Sequence, residues 1–167
     1  PNEDNPDFYE RILKLITTDT HKNILWIGDF NLILKFQKHA RNYLTRPNPL
    51  ASAKVNSIIN QLGLIDVSEQ TNVTEPFYTW TSFKHENTHL REHYIHNNIH
   101  HPEPLKQQSK LDYSLASYNL MPHITKYHLG DNITSDHAAQ HLTIDFSNFK
   151  RATKQFRFNE RDLLNPT

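Results

Sequence analysis

Cysteine is absent from the 167 residues, which excludes disulfides and thiolate metal sites and suits an intracellular protein. Net charge is absent as well. Lys and Arg number 18 against 18 Asp and Glu, so no overall positive field points to a polyanionic partner. A protein of this balance that handled nucleic acid would depend on local patches and a metal. No apolar run approaches membrane-spanning length, no signal-peptide pattern opens the chain, and no internal repeat is found. Residue 1 is Pro rather than Met, so a start inside a longer reading frame is expected. The length suffices for one domain with a sizeable core.

What is present reads as strands interleaved with two helices. Pro6 stands at a first helical position with Asn5 as its cap, and Phe8, Ile12, Leu15 and Ile16 follow at helical spacing to Thr17. Ile24 to Ile27 reads as a buried strand, while Lys35 to Pro49 is polar and irregular, with Pro47 and Pro49 stopping regular structure. Ala51 to Leu62 is a second helix closed by Gly63. Strands are expected at Leu64 to Val67, Tyr78 to Phe83, Leu111 to Ala116, Lys126 to Leu129 and His141 to Phe146. This order predicts an α/β or α+β layered domain.

Polar residues gather where these strands begin and end. Ile24-Leu25-Trp26-Ile27 runs into Gly28-Asp29-Phe30-Asn31; Ser109-Lys110-Leu111-Asp112-Tyr113 enters an apolar segment; Ser135-Asp136-His137 precedes a strand. Carboxylates, an amide and an imidazole at strand ends are the groups that phosphodiester hydrolysis needs. They supply a base for water, a hold on the phosphate and oxygen ligands for magnesium. Asp29 would take the water proton, Asn31 would hold a phosphate oxygen or that water, and Asp136 would face the metal. Asp112 would accept a hydrogen bond from His137 and keep it charged to stabilise the transition state. The plainer alternative for each is local: an Asx turn at Asp29, a capping acid at Asp112, a satisfied turn at Asp136-His137.

Taken in order, Gly28-Asp29-Phe30-Asn31, Tyr78-Thr79-Trp80, Ser109-Lys110-Leu111-Asp112-Tyr113 and Ser135-Asp136-His137 resemble the motifs of the endonuclease/exonuclease/phosphatase superfamily. Among its members, the apurinic-endonuclease-like domain of non-LTR retrotransposons is the most similar. Pro1-Asn2 resembles the tail of that family's Tyr-Ala-Pro-Asn segment. Phe156-Arg157-Phe158-Asn159 with Leu163-Leu164 resembles its linker toward reverse transcriptase. The resemblance implies an α/β chain forming part of a four-layer, two-sheet, DNase-I-like sandwich whose amino-terminal half is missing. Residues 1–149 would be domain, 84–108 an insertion, and 150–167 the linker. It implies Asp29, Asn31, Asp112 and His137 as catalytic, with Asn31, Thr79, Ser109 and His137 touching substrate, Asp136 assisting magnesium or manganese, and Trp80 packed in the core. DNA would be the substrate, nicked at a target site by a nuclear protein, with element RNA and a reverse transcriptase as partners of the full polypeptide. The family's early Asn, metal-binding Glu and catalytic Tyr have no counterpart here; Glu3, Glu10 and Tyr9 are poor substitutes. Inefficient cleavage by the isolated chain is therefore expected, and a non-catalytic remnant or binding domain of the same fold is the alternative.

The 84–108 segment is His-rich. His89 and His93, and His96 and His100, stand four apart, a spacing that puts two imidazoles on one helical face. With no cysteine or well-placed acid to complete a zinc tetrahedron, the segment reads as a polar insertion filled by compositional drift, with one marginal helix and a place near the substrate groove.

Overall fold

The computed structural model describes residues 3–17, 23–71, 77–82, 88–99, 106–131 and 135–147. Helix α1 (Pro6–Thr17) begins as its sequence dictates: the Asn5 Oδ1 accepts the Phe8 N–H at 3.2 Å. It buries Tyr9 and Leu13 against α3 (Pro49–Leu62), whose inward stripe is Ala51, Val55 and Ile58. Gly63 closes α3 in the left-handed region at φ 60°. The start of α3 departs from expectation. Pro49 opens the helix instead of preventing it, because its missing N–H would have been an orphan there. The free N–H groups of Leu50 and Ala51 go to the carboxylate of Asp4, at 3.2 and 2.6 Å.

These helices cover one face of an antiparallel sheet ordered β1-β6-β3, formed by Leu25–Asp29, Asp112–Ser117 and Leu64–Asp66. The central strand β6 is buried along all but its first residue. Tyr113 and Leu115 join Phe30, Leu32, Leu34 and the helix residues in one core. Each fully buried aliphatic side chain there contributes about 1.5–3 kcal/mol. Ala116 belongs to a second core on the opposite face, with Val67, Phe77, Leu120 and Tyr127. That core is roofed by the pair β7 (Ile124–Leu129) and β8 (Gln140–Ile144). A third sheet has two-residue strands in the order β2-β5-β4: Ala40–Arg41, Gln108–Ser109 and Trp80–Thr81. It clamps the segment that leads into β6.

The described residues thus form a helical layer on a three-stranded sheet, a strand pair on its other face and a small third sheet, with strands antiparallel throughout. Lys35 to Pro49 holds more order than its polarity suggested: α2 (Phe36–His39) and β2 lie within it, secured by the buried ring of His39. Helix α4 (Val67–Gln70) was not expected either. It starts because Asp66 caps it, accepting the Ser68 N–H at 3.1 Å. The insertion holds α5 (Thr88–His96). The 150–167 linker lies outside the described residues.

Candidate active site

Asp29 ends β1 and Asp112 begins β6, and the register sets them directly opposite each other. After Asp29 the chain must turn Phe30 into the core, which it does by placing Asn31 at φ 50°. Asn31 then closes on Asp29: its N–H donates to Oδ1 at 2.8 Å and its side-chain amide to Oδ2 at 3.1 Å. This is the Asx turn of the plainer alternative, and it also fixes an exposed carboxylate in one orientation. Beneath it, the Tyr9 hydroxyl donates to the Phe30 carbonyl at 2.7 Å. Burial, helped by the charge of Asp29, pushes that phenol up to about 12, so it remains a donor.

His137 approaches from the other sheet system. It forms an isolated antiparallel bridge with Trp80, and its Nδ1 lies 2.8 Å from Asp112 Oδ2. A carboxylate on Nδ1 selects the tautomer in which Nδ1 carries the proton and leaves Nε2 for a ligand. Asp29, Asp112 and His137 each place one ligand atom within 4.8 Å of the others. Asp112 and His137 line a groove of about 420 Å³ together with Ile27, Gly28, Ala138 and Gln140, and Asp29 follows Gly28 at its edge. Far apart in sequence, the three side chains share one rim.

The remaining predicted residues lie around this rim in different roles. Thr79 is 1% exposed and Ser109 is fully buried, and neither lines the groove. Thr79 Oγ1 accepts the N–H groups of Leu111 and Asp112 at 2.9 and 3.0 Å, and its carbonyl accepts the Ala138 N–H at 2.7 Å. One buried residue therefore ties the Asp112 segment to the His137 segment. Ser109 Oγ lies 3.1 Å from the Tyr43 hydroxyl. Trp80, expected in the core, is half-buried and donates its indole N–H to Asp136 Oδ2 at 2.9 Å. Asp136 is outside the group of three.

For a divalent cation, the facing carboxylates of Asp29 and Asp112 offer the hard oxygen donors that magnesium selects, while the His137 imidazole is engaged with Asp112. The residues present fit such an ion.

Sequence reasoning missed a second polar cluster behind the rim. Lys110 has no exposed surface; its ammonium donates to Asp66 Oδ2 and Ser68 Oγ, both at 2.5 Å, and lies over the rings of Phe77 and Tyr113. His39 is 2% exposed, 3.3 Å from the Tyr113 hydroxyl and 3.7 Å from Glu69. A charged residue inside the otherwise regular Ser109–Tyr113 motif was the signal available, but only burial distinguishes it from a solvated lysine. Burial, then Lys110, lowers the His39 pKa from the usual imidazole value of 6.5 to about 4. The unfolded chain therefore takes up this proton first, and stability falls as pH drops from about 6.5 to about 4, by an amount on the order of 3 kcal/mol. Thermal melts across that range should show the decline, and His39→Gln should flatten it. An unaltered slope in the variant would assign the effect to other groups.

No protein-family model and no curated protein matches the chain. Solved structures do. An AP endonuclease from Archaeoglobus fulgidus is 17% identical with a TM-score of 0.61, over 84% of this chain and 53% of that one. The endonuclease domain of TRAS1, a telomere-specific non-LTR retrotransposon, is 13% identical with a TM-score of 0.56, over 86% and 55%. A Neisseria 3′ phosphatase bound to a product DNA hairpin is 15% identical with a TM-score of 0.55, over 83% and 50%. These are structures of the DNase-I-like endonuclease/exonuclease/phosphatase superfamily, and the chain has their fold. It spans about half the length of the structures it matches.

Proposed function

We propose that this chain is the catalytic-rim portion of a magnesium-dependent endonuclease that hydrolyses DNA phosphodiesters. The observation that carries the reading is the convergence of Asp29, Asp112 and His137 within 4.8 Å of one another, at the edge of an open groove that Asp112 and His137 line. Asp29, oriented by Asn31, takes a proton from the attacking water as its oxygen bonds to phosphorus. His137, held through Nδ1 by Asp112, presents Nε2–H to a non-bridging oxygen of the scissile phosphate. The P–O bond to the leaving oxygen then breaks, and that oxygen is protonated from solvent. A divalent cation would be held by the carboxylates of Asp29 and Asp112 and would supply positive charge for the phosphate oxygens, with Asp136, bonded to Trp80, assisting from outside that pair. Asn31 keeps Asp29 in place and contacts the phosphate as the ligand enters. Thr79 and Ser109 serve from beneath.

The substrate assignment draws on the neighbours that process DNA. The order of motifs, together with the likeness to the TRAS1 domain, supports target-site nicking by a non-LTR retrotransposon. In that setting the protein works in the nucleus beside element RNA and a reverse transcriptase.

The test is nicking of supercoiled DNA by the polypeptide of the full reading frame, with magnesium or manganese and with chelator. Magnesium-dependent single-strand breaks are expected. Binding without cleavage under both metals would favour the non-catalytic alternative, and breaks that persist in chelator would remove the metal from the reading.

A further inference from the structure

We infer that helix α5 is a binding site for a zinc-class transition-metal ion, separate from the groove and independent of the nuclease reading. The helix spans Thr88–His96, and on it His89, Glu92, His93 and His96 fall at i, i+3, i+4 and i+7, one continuous stripe. Sequence reading found the histidines but no acid to accompany them; the helix supplies Glu92, whose Oε2 lies 3.8 Å from His89 Nδ1. His89-Leu90-Arg91-Glu92-His93 has the His-x-x-Glu-His spacing. On a helix that arrangement sets two imidazoles one turn apart with a carboxylate between them. His96 extends the stripe, standing one turn from Glu92, so two chelating pairs overlap.

The donors choose the ion. Imidazole nitrogens with one carboxylate suit zinc, nickel or copper, whereas magnesium prefers oxygen donors of the kind Asp29 and Asp112 present. Asn97 Nδ2 lies 3.5 Å from His93 Nδ1 and donates to the His93 carbonyl at 2.7 Å, which secures the turn that follows the helix.

The helix also needs what a metal would supply. Nine residues fall short of the roughly 12–15 at which isolated helices become even marginal in water. Helices this short normally rest on a buried apolar face. Among the described side chains, His89, Arg91, Glu92, His93, Ile95 and His96 are exposed and Tyr94 is half-buried, so none is fully buried. Chelation across one turn locks the backbone dihedrals between the two ligands and so does the work that packing does elsewhere. The His96–His100 pair falls partly outside the described residues and takes no part.

The experiment titrates the 167-residue chain with zinc chloride in excess magnesium, following heat of binding and far-ultraviolet circular dichroism. One equivalent is expected to bind with a gain in helical signal. His89→Gln with His93→Gln should weaken that binding roughly tenfold or more. The exchange His93→Tyr with Tyr94→His keeps the number of histidines and breaks their spacing, and it should have the same effect. His137→Asn should leave this binding unchanged. Zinc affinity that is indifferent to either stripe variant, or that disappears with His137→Asn, overturns the inference. So does zinc binding with no added helicity. If DNA affinity falls in the stripe variants while zinc binding does not, the stripe is a phosphate contact and not a metal site.

Discussion

Replacing Asp112 by Asn should lower magnesium-dependent nicking by roughly 10²–10⁴-fold while leaving the folded structure intact. The substitution is nearly isosteric, and the backbone that carries residue 112 is held independently of its side chain. Its N–H is bonded to Thr79 Oγ1, and its neighbours lie in the β1-β6 ladder. What changes is the partner of His137 Nδ1, together with one of the two carboxylates offered to the cation. A carboxylate can only accept, so it fixes the proton on Nδ1; an amide can donate and allows the ring to reverse its tautomer. The loss should fall on kcat, with DNA affinity altered by less than about tenfold, because the groove keeps its shape. Ring-nitrogen chemical shifts of His137 provide a readout that needs no turnover: Nδ1 protonated in the parent chain, a changed distribution in the variant. Undiminished nicking by Asp112→Asn would remove the Asp112–His137 pair from the mechanism.

Lys110→Met should cost about 3–5 kcal/mol in urea unfolding, a large share of a typical domain's stability. Lys110 and Asp66 form an ion pair whose side chains are 1% and 10% exposed. Burial draws the ammonium's pKa down, against the attraction of Asp66, so the pair is held at considerable desolvation cost. Methionine can fill the volume between Phe77 and Tyr113 but leaves the Asp66 carboxylate buried without its cation. Asp66→Asn in the same chain should recover much of the loss, since it removes the stranded charge, and the double-mutant cycle should show strong coupling. Equal and additive effects of the two substitutions would mean that solvent reaches the pair freely. The variant also bears on the site: Lys110 lies two residues before Asp112, so its loss should loosen the rim as well as the core.

The motif strands were legible because both of their requirements are written locally. Ile24 to Ile27 is an apolar run that leads into Gly28-Asp29, and Leu111 to Ala116 follows a polar entry; β1 and β6 formed there, although β1 is not the buried strand expected, with Leu25 and Ile27 37% and 48% exposed. Helix α1 was equally plain, with cap, proline and stripe contiguous. What escaped was long-range. No local signal tells that Asp4 will cap a helix beginning with Pro49, or that a polar stretch containing His39 will fold over Tyr113. At the rim, Asp29, Asp112 and His137 were picked for their chemistry and do come together, although each also had a local use open to it and Asp29 makes its Asx turn as well. Thr79 and Ser109 are buried and Trp80 is half-buried, which the sequence did not reveal. A hydroxyl or an indole reads the same in sequence whether it meets a ligand or a backbone amide, and only burial separates the two.

The position of Thr79 has a wider implication. A buried residue outside the groove lining holds the segments of the acid and the imidazole in a common frame, the first through its hydroxyl and the second through its carbonyl, so intolerance to substitution there would reflect alignment and not contact. Mutational maps of this fold that equate sensitivity with proximity to the phosphate would then misplace the boundary of the reacting centre, drawing it one layer too deep.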